Sequence, residues 1–132
     1  MRDVPVGTKG SYSITVGEND LASGLNATLP RVMATRVMVG MMELAAMDAI
    51  SSFLDAGEGS VGVAVEIQHF AATPPGHQVR ATAEVIKSEG KRLEFKVTAA
   101  DENEEIGSGV HRRAVIDSAK FNERLKSKVK AK

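Results

Sequence analysis

Apolar and polar positions alternate in four runs through the second half of the chain. Val61, Val63, Val65, Ile67 and His69 fall on one face of the first run. Val79, Ala81, Ala83 and Val85 mark the second, and Leu93, Phe95, Val97 and Ala99 the third. Ile106 to Ile116 forms the fourth, where Gly107 and Gly109 predict bends or a close backbone approach. The breaks between runs are turn-like: Thr-Pro-Pro-Gly from Thr73 to Gly76, Glu89-Gly90 as a hairpin tip, and a polar loop from Asp101 to Glu105. Upstream, Ser11 to Val16 is a short β-prone run, and Gly17 to Pro30 is irregular. From about Thr35 to Leu54 the pattern is helical and apolar nearly all round, which predicts a helix buried on most sides. A glycine-rich stop follows at Asp55 to Gly59. Ser118 is placed to cap a short C-terminal helix through about Lys128, with Phe121 and Leu125 one turn apart.

The order of elements is strand, long helix, then four strands expected to pair as an antiparallel meander. It predicts an α+β fold: a curved antiparallel five-stranded sheet wrapped around one long buried helix, with a short C-terminal helix. An open sheet of this kind leaves edges, and pairing with a second copy would protect them.

At 132 residues the chain is expected to be one domain spanning 1–132. Apolar residues make up 42% but aromatics only 4%, so Val, Ala, Ile, Leu and Met must fill the core. Seventeen basic and seventeen acidic residues cancel, which argues against nucleic acid and anionic membranes as partners. The local excess is Lys126 to Lys132, expected to be a solvated, fraying end. There is no cysteine, so disulfides, thiolate catalysis and Cys-based zinc sites are excluded. The start, MRDVPVGTKG, has no apolar signal core, and no apolar run reaches the ~20 residues of a membrane span. A soluble, cytoplasmic protein is expected.

Three polar residues interrupt the apolar pattern. Glu43 lies in the helix, where its neighbours one turn away are Val39, Gly40, Ala46 and Met47. A carboxylate there is costly unless it is paired, hydrogen-bonded or placed in a cleft for use. Thr35 lies at the helix start, where it could cap the helix or sit beside developing negative charge. His69 ends the first alternating strand and could be a satisfied strand-end histidine. Together the three supply a hydroxyl, a carboxylate and an imidazole, a set suited to acyl transfer or hydrolysis. No GxSxG, GxGxxG or Walker loop is present. His69, His77 and His111 lack metal-ligand spacing, so neither a metal nor a cofactor is expected.

At these residues the sequence resembles the hotdog-fold thioesterases, and among them the fluoroacetyl-CoA thioesterases. The shared stretches are "ATRVMVGMME", "GEGSVG", "HFAATPPG", "EGKRLEF", "EIGSGVHRRAVI" and "KFN", in the same order from about Val6 to Lys126. The resemblance implies a single hotdog domain, a homodimer with active sites near the subunit interface, and hydrolysis of a small or medium acyl-CoA thioester. Coenzyme A enters only as part of the substrate. Thr35, Glu43 and His69 match the family's catalytic triad in type and spacing. Gly62 matches a glycine whose backbone helps hold the thioester carbonyl or a water. Arg113, in "HRRAVI", matches an arginine implicated in the site; a plain ion pair is the other reading of it. Leu29 and Met33 stand where the fluoroacetyl enzyme carries lid phenylalanines. With no aromatic in that segment, the resemblance carries the thioesterase reaction but not the fluoroacetyl specificity. Lys91, Arg92, Arg112 and Arg113 are candidates for the CoA phosphates. The alternatives are a hotdog hydratase or dehydratase, whose short motif is missing, and a non-catalytic acyl-CoA binding module, which would need no strict triad.

Overall fold

A computed structural model describes residues 1–130. The first strand, β1 (Lys9–Thr15), leads through two short 3-10 turns to the long helix α1 (Thr35–Ile50). Four long strands follow: β2 (Glu58–His69), β3 (Gln78–Glu89), β4 (Arg92–Asp101) and β5 (Glu105–Asp117). The helix α2 (Ser118–Lys130) ends the described chain. All five strands pair antiparallel in the order β1-β3-β4-β5-β2. None of the helices among the described residues is long and apolar enough to cross a membrane.

The sheet packs its inner face on α1. Val79, Ala81, Ala83 and Val85 of β3 and Leu93, Phe95, Val97 and Ala99 of β4 are all buried, as their alternation predicts. They meet Met38, Met41, Met42, Ala45, Ala46, Ala49 and Ile50 of α1. Each large side chain among these contributes about 1.5–3 kcal/mol by leaving water. The small residues of α1 serve a separate purpose. A Cβ at Gly10 of β1 would run into the backbone at Ala45 and Ala49, so strand and helix touch main chain to main chain there. The other side of α1 is open in the single chain, with Leu44 and Met47 about 40% exposed (40% and 41%). The helix is therefore less enclosed than its composition predicts.

The expected four-strand meander holds only for β3, β4 and β5. β1 occupies the free edge of β3, with Lys9 opposite Glu84 and Thr15 opposite Gln78. β2 instead crosses to the far side and pairs with β5. Alternation sets which side chains point inward, but it carries nothing about which strand lies beside which.

A second departure lies inside β2. The register passes from Gly62 opposite Arg113 to Ala64 opposite Arg112, with Val63 as the extra residue of a β-bulge. Val61 and Val65 therefore fall on opposite faces, although alternation places them together. The bulge brings Gly62 to the inner face, across from α1.

At the end of β5 the helix cap is Asp117 rather than Ser118: its Oδ1 accepts the Lys120 N–H at 3.1 Å. α2 continues to Lys130, so most of the lysine-rich end is helical and exposed; Ala131 and Lys132 lie outside the described residues.

Candidate active site

The start of α1 is tied to the segment that follows β2. The Met33 N–H donates to the Thr73 carbonyl at 2.8 Å, and the Ala34 N–H to the Asp20 carbonyl at 2.8 Å. Thr73 is fully buried, and its hydroxyl donates to Asp101 Oδ2 at 2.9 Å. These bonds fix the first turn of α1 beside the end of β2. As a result Thr35 Oγ1 lies 2.9 Å from His69 Nδ1. The helix-cap reading of Thr35 fails, because Ala34 occupies the cap position and Thr35 is the first helical residue. Its hydroxyl is turned to the imidazole instead. His69 Nε2 is buried and has no hydrogen-bond partner among the described residues.

This pair opens on a pocket of about 300 Å³, walled by Ala22, Val32, Met33, Phe70 and Ala71. The wall is apolar, as an acyl group requires. Met33 is thus at the pocket. Leu29 is 40% exposed on the loop before it and is not part of that wall.

Glu43 lies elsewhere. Eight residues of helix at about 1.5 Å each put it about 12 Å along the axis from Thr35. It faces the inner side of the bulge in β2, in a cleft of about 240 Å³ shared with Gly62, Val65 and His111. Its Oε2 accepts from Arg113 Nη1 at 3.2 Å. A Cβ at Gly62 would stand 3.0 Å from the same oxygen, so the glycine leaves the room that the carboxylate uses. The Arg113 side chain is only 4% exposed. Its Nε donates to Ser60 Oγ at 2.9 Å and its Nη2 to the Ser60 carbonyl at 3.0 Å.

Arg113 is therefore a buried partner of Glu43, and it also lines an outer cleft with Arg92 and Arg112. Arg112, one residue away on the outer face, pairs with Glu94 at 2.7 Å. It lines the same cleft of about 170 Å³ together with Lys87 and Arg92.

The geometry also brings in two residues that the sequence reading gave no role, His111 and Ser60. His111 is buried, donates from Nδ1 to the Ala64 carbonyl at 2.8 Å and meets Arg113 Nη1 at 3.2 Å. Burial, followed by the Arg113 charge, holds its pKa below the ordinary 6.5 against the opposing hydrogen bond to Ala64. The sequence signal was its period-two spacing from Arg113 on one strand face. The structure thus holds two separate polar clusters in one chain: Thr35 with His69, and Glu43 with Gly62, Arg113 and His111.

Comparisons with known proteins identify the family. The family model described as fluoroacetyl-CoA-specific thioesterase matches residues 16–119. The fluoroacetyl-CoA thioesterase of Streptantibioticus cattleyicolor is 50% identical over 105 residues, covering 80% of this chain and 76% of that one. A solved serine-for-threonine variant of fluoroacetyl-CoA thioesterase, in complex with acetyl-CoA, superposes with a TM-score of 0.89. It is 42% identical, over 94% of this chain and 98% of that one. A thioesterase superfamily member from Thermus thermophilus matches over 100% of both chains at 33% identity and a TM-score of 0.89. By the extent of the family match and these identities, the chain belongs to the fluoroacetyl-CoA-specific thioesterase family, enzymes that hydrolyse acyl-CoA thioesters.

Proposed function

We propose that the protein hydrolyses a small or medium acyl-CoA thioester, with Thr35, His69 and Glu43 as the reacting side chains and a second copy of the chain completing each site. The observation that carries the reading is the 2.9 Å contact between Thr35 Oγ1 and His69 Nδ1 at the mouth of an apolar pocket. In the tautomer with its proton on Nε2, His69 accepts from the Thr35 hydroxyl and can take its proton, or that of a water bound to it, as the thioester carbonyl is attacked. The Thr35 and Arg36 N–H groups, ahead of the first helical bonds from Val37 and Met38 to the Ala34 carbonyl, are placed to meet the developing oxyanion. Collapse breaks the C–S bond, and the CoA sulfur leaves as a thiol after taking a proton. Net reaction with water releases one carboxylic acid and one CoA thiol.

Glu43 is about 12 Å along the helix from Thr35, too far to act with it inside one chain. Two features support a homodimer that closes this gap. β2 is a twelve-residue edge strand with Val63 and Val65 about half exposed (52% and 48%). A long apolar edge of this kind calls for a partner. His69 Nε2 has no hydrogen-bond partner among the described residues, and a small shift of the atoms that cover it in the single chain would offer its N–H to a carboxylate from a second copy. The hydroxyl, imidazole and carboxylate then stand in one line. Of the candidates for the CoA phosphates, Arg92, Arg112 and Arg113 line the outer cleft, where Lys87 joins them; Lys91 does not line it.

The deciding experiment mixes the protein with acyl-CoAs from acetyl and fluoroacetyl through medium-chain and phenylacetyl esters and follows thiol release with a chromogenic disulfide. The chain has no cysteine to add background. Turnover that is lost in Glu43→Gln and in His69→Ala is the expected result. Binding of the esters with no turnover by the unaltered protein would overturn the reading in favour of a binding module.

A further inference from the structure

We propose that His111 is a positioning residue for this reaction: as a neutral imidazole it seats the Arg113 guanidinium that holds Glu43. The inference rests on the reading of Glu43 as the working carboxylate.

Both ring nitrogens of His111 are assigned by what they face. Nδ1 lies 2.8 Å from the Ala64 carbonyl, which can only accept, so Nδ1 carries the hydrogen. Nε2 lies 3.2 Å from Arg113 Nη1, which can only donate, so Nε2 presents its lone pair. The two neighbours demand the same neutral tautomer. A second proton would set an N–H against an N–H. Burial and the nearby guanidinium charge favour the neutral ring and outweigh the Ala64 bond and the Glu43 charge, which oppose them. The ring is 1% exposed and stacks on Phe95, with centroids 6.2 Å apart and planes at 27°.

The guanidinium is held at every nitrogen. Nε and Nη2 go to the hydroxyl and carbonyl of Ser60, on β2 before the bulge. Nη1 has two hydrogens, one for His111 and one for Glu43 Oε2. The hold on Glu43 is therefore one N–H whose direction depends on where the other points. His111 is itself anchored to Ala64, on β2 after the bulge. Without its acceptor, a buried N–H loses its partner, and the guanidinium is held only by Ser60 and by the carboxylate it is meant to position, which loosens its plane. In the intact site the ring joins Ala64 to Arg113, and Arg113 joins Ser60, so the two together span the irregular stretch of β2.

The test compares three full-length variants with the unaltered protein. His111→Leu removes donor and acceptor, His111→Asn keeps the bond to Ala64 alone, and His111→Gln restores an acceptor toward Arg113. The first readout needs no substrate: hindered rotation of the Arg113 guanidinium, seen by NMR as separate Nη resonances at low temperature. The second is kcat and KM on the acyl-CoA that the unaltered protein turns over best. In His111→Leu the resonances are expected to coalesce, with kcat down about tenfold and KM within about twofold. His111→Gln should recover most of kcat. In an Arg113→Gln background, His111→Leu should cost less than about twofold more, because it acts through Arg113. If His111→Leu does not fold, His111→Asn carries the same expectations. Separate resonances persisting in either variant, or losses that multiply in the double variant, would overturn the proposal. If the unaltered protein turns over no ester, the hydrolase reading falls. The resonances then decide the seating alone, coalescence supporting it and persistence refuting it.

Discussion

A Cβ built on Gly62 stands 3.0 Å from Glu43 Oε2, 3.3 Å from His111 Cε1 and 3.5 Å from Arg113 Nη1. Ordinary contact begins near 3.4 Å, so in Gly62→Ala the carboxylate must retreat by about 0.4 Å. The Glu43–Arg113 bond is already long for a charged pair at 3.2 Å, so a retreat of that size away from the guanidinium weakens it. Reacting groups tolerate about 0.5 Å, and misplacement by about 1 Å costs roughly 100-fold. A loss of about tenfold in kcat, or about 1.4 kcal/mol of barrier, is the expected size. The fold should not suffer. Gly62 does not have a positive φ, and an alanine in a strand gains about 0.5–1 kcal/mol over glycine. The atoms it meets are the ends of side chains, and Glu43 has room to move because its side chain is 39% exposed. The assay pairs thiol-release kinetics with urea unfolding of the same preparation. Activity falls while stability holds or rises, if the glycine is there for the carboxylate. Unchanged kcat would refute that reasoning, and so would a stability loss of about 2 kcal/mol or more, which would make Gly62 a packing residue.

Glu43→Gln should lower kcat by about 100-fold or more with little change in KM, measured on the best acyl-CoA; a rise in KM with kcat unchanged would remove Glu43 from the chemistry. Gly10→Ala drives a methyl group into the backbone of α1 at Ala45 and Ala49, so urea unfolding should show a loss of about 3 kcal/mol or more, and a neutral result would contradict the close approach. Val65→Lys places a charge on the apolar edge of β2; light scattering should show monomers and turnover should vanish, whereas an active monomer would refute the two-copy site. For pH, the lowered pKa of His111 means that the unfolded chain takes up a proton near 6.5 that the folded chain refuses. That stability is present above pH 6.5 and is lost as pH falls through the lowered folded value. Unfolding free energies of His111→Gln should be flatter over that acid window, and identical slopes in both proteins would count against a neutral buried ring.

The sequence alone determined much of the local structure, because local structure follows periodicity. The inward faces of β3 and β4 were legible from Val79 to Val85 and from Leu93 to Ala99, and α1 from its largely apolar helical pattern. Thr35, Glu43 and His69 stood out because a polar side chain in an apolar pattern needs a reason. The whole-chain resemblance to hotdog thioesterases made that reason specific. The tertiary structure decided what spacing cannot express. Which edge β2 joins depends on β1 having taken the edge of β3, a competition between segments far apart in sequence. The bulge at Val63 shifts a strand's faces by one residue, so alternation carried through it assigns Val61 to the wrong side. The division of the site follows from helix geometry. Eight residues of helix separate Thr35 from Glu43 by about 12 Å, while the fold brings His69, thirty-four residues from Thr35, within a hydrogen bond of it. His111 and Ser60 acquired their places only when β5 was laid beside β2. A buried guanidinium needs acceptors on every side, and only the folded chain determines which residues supply them.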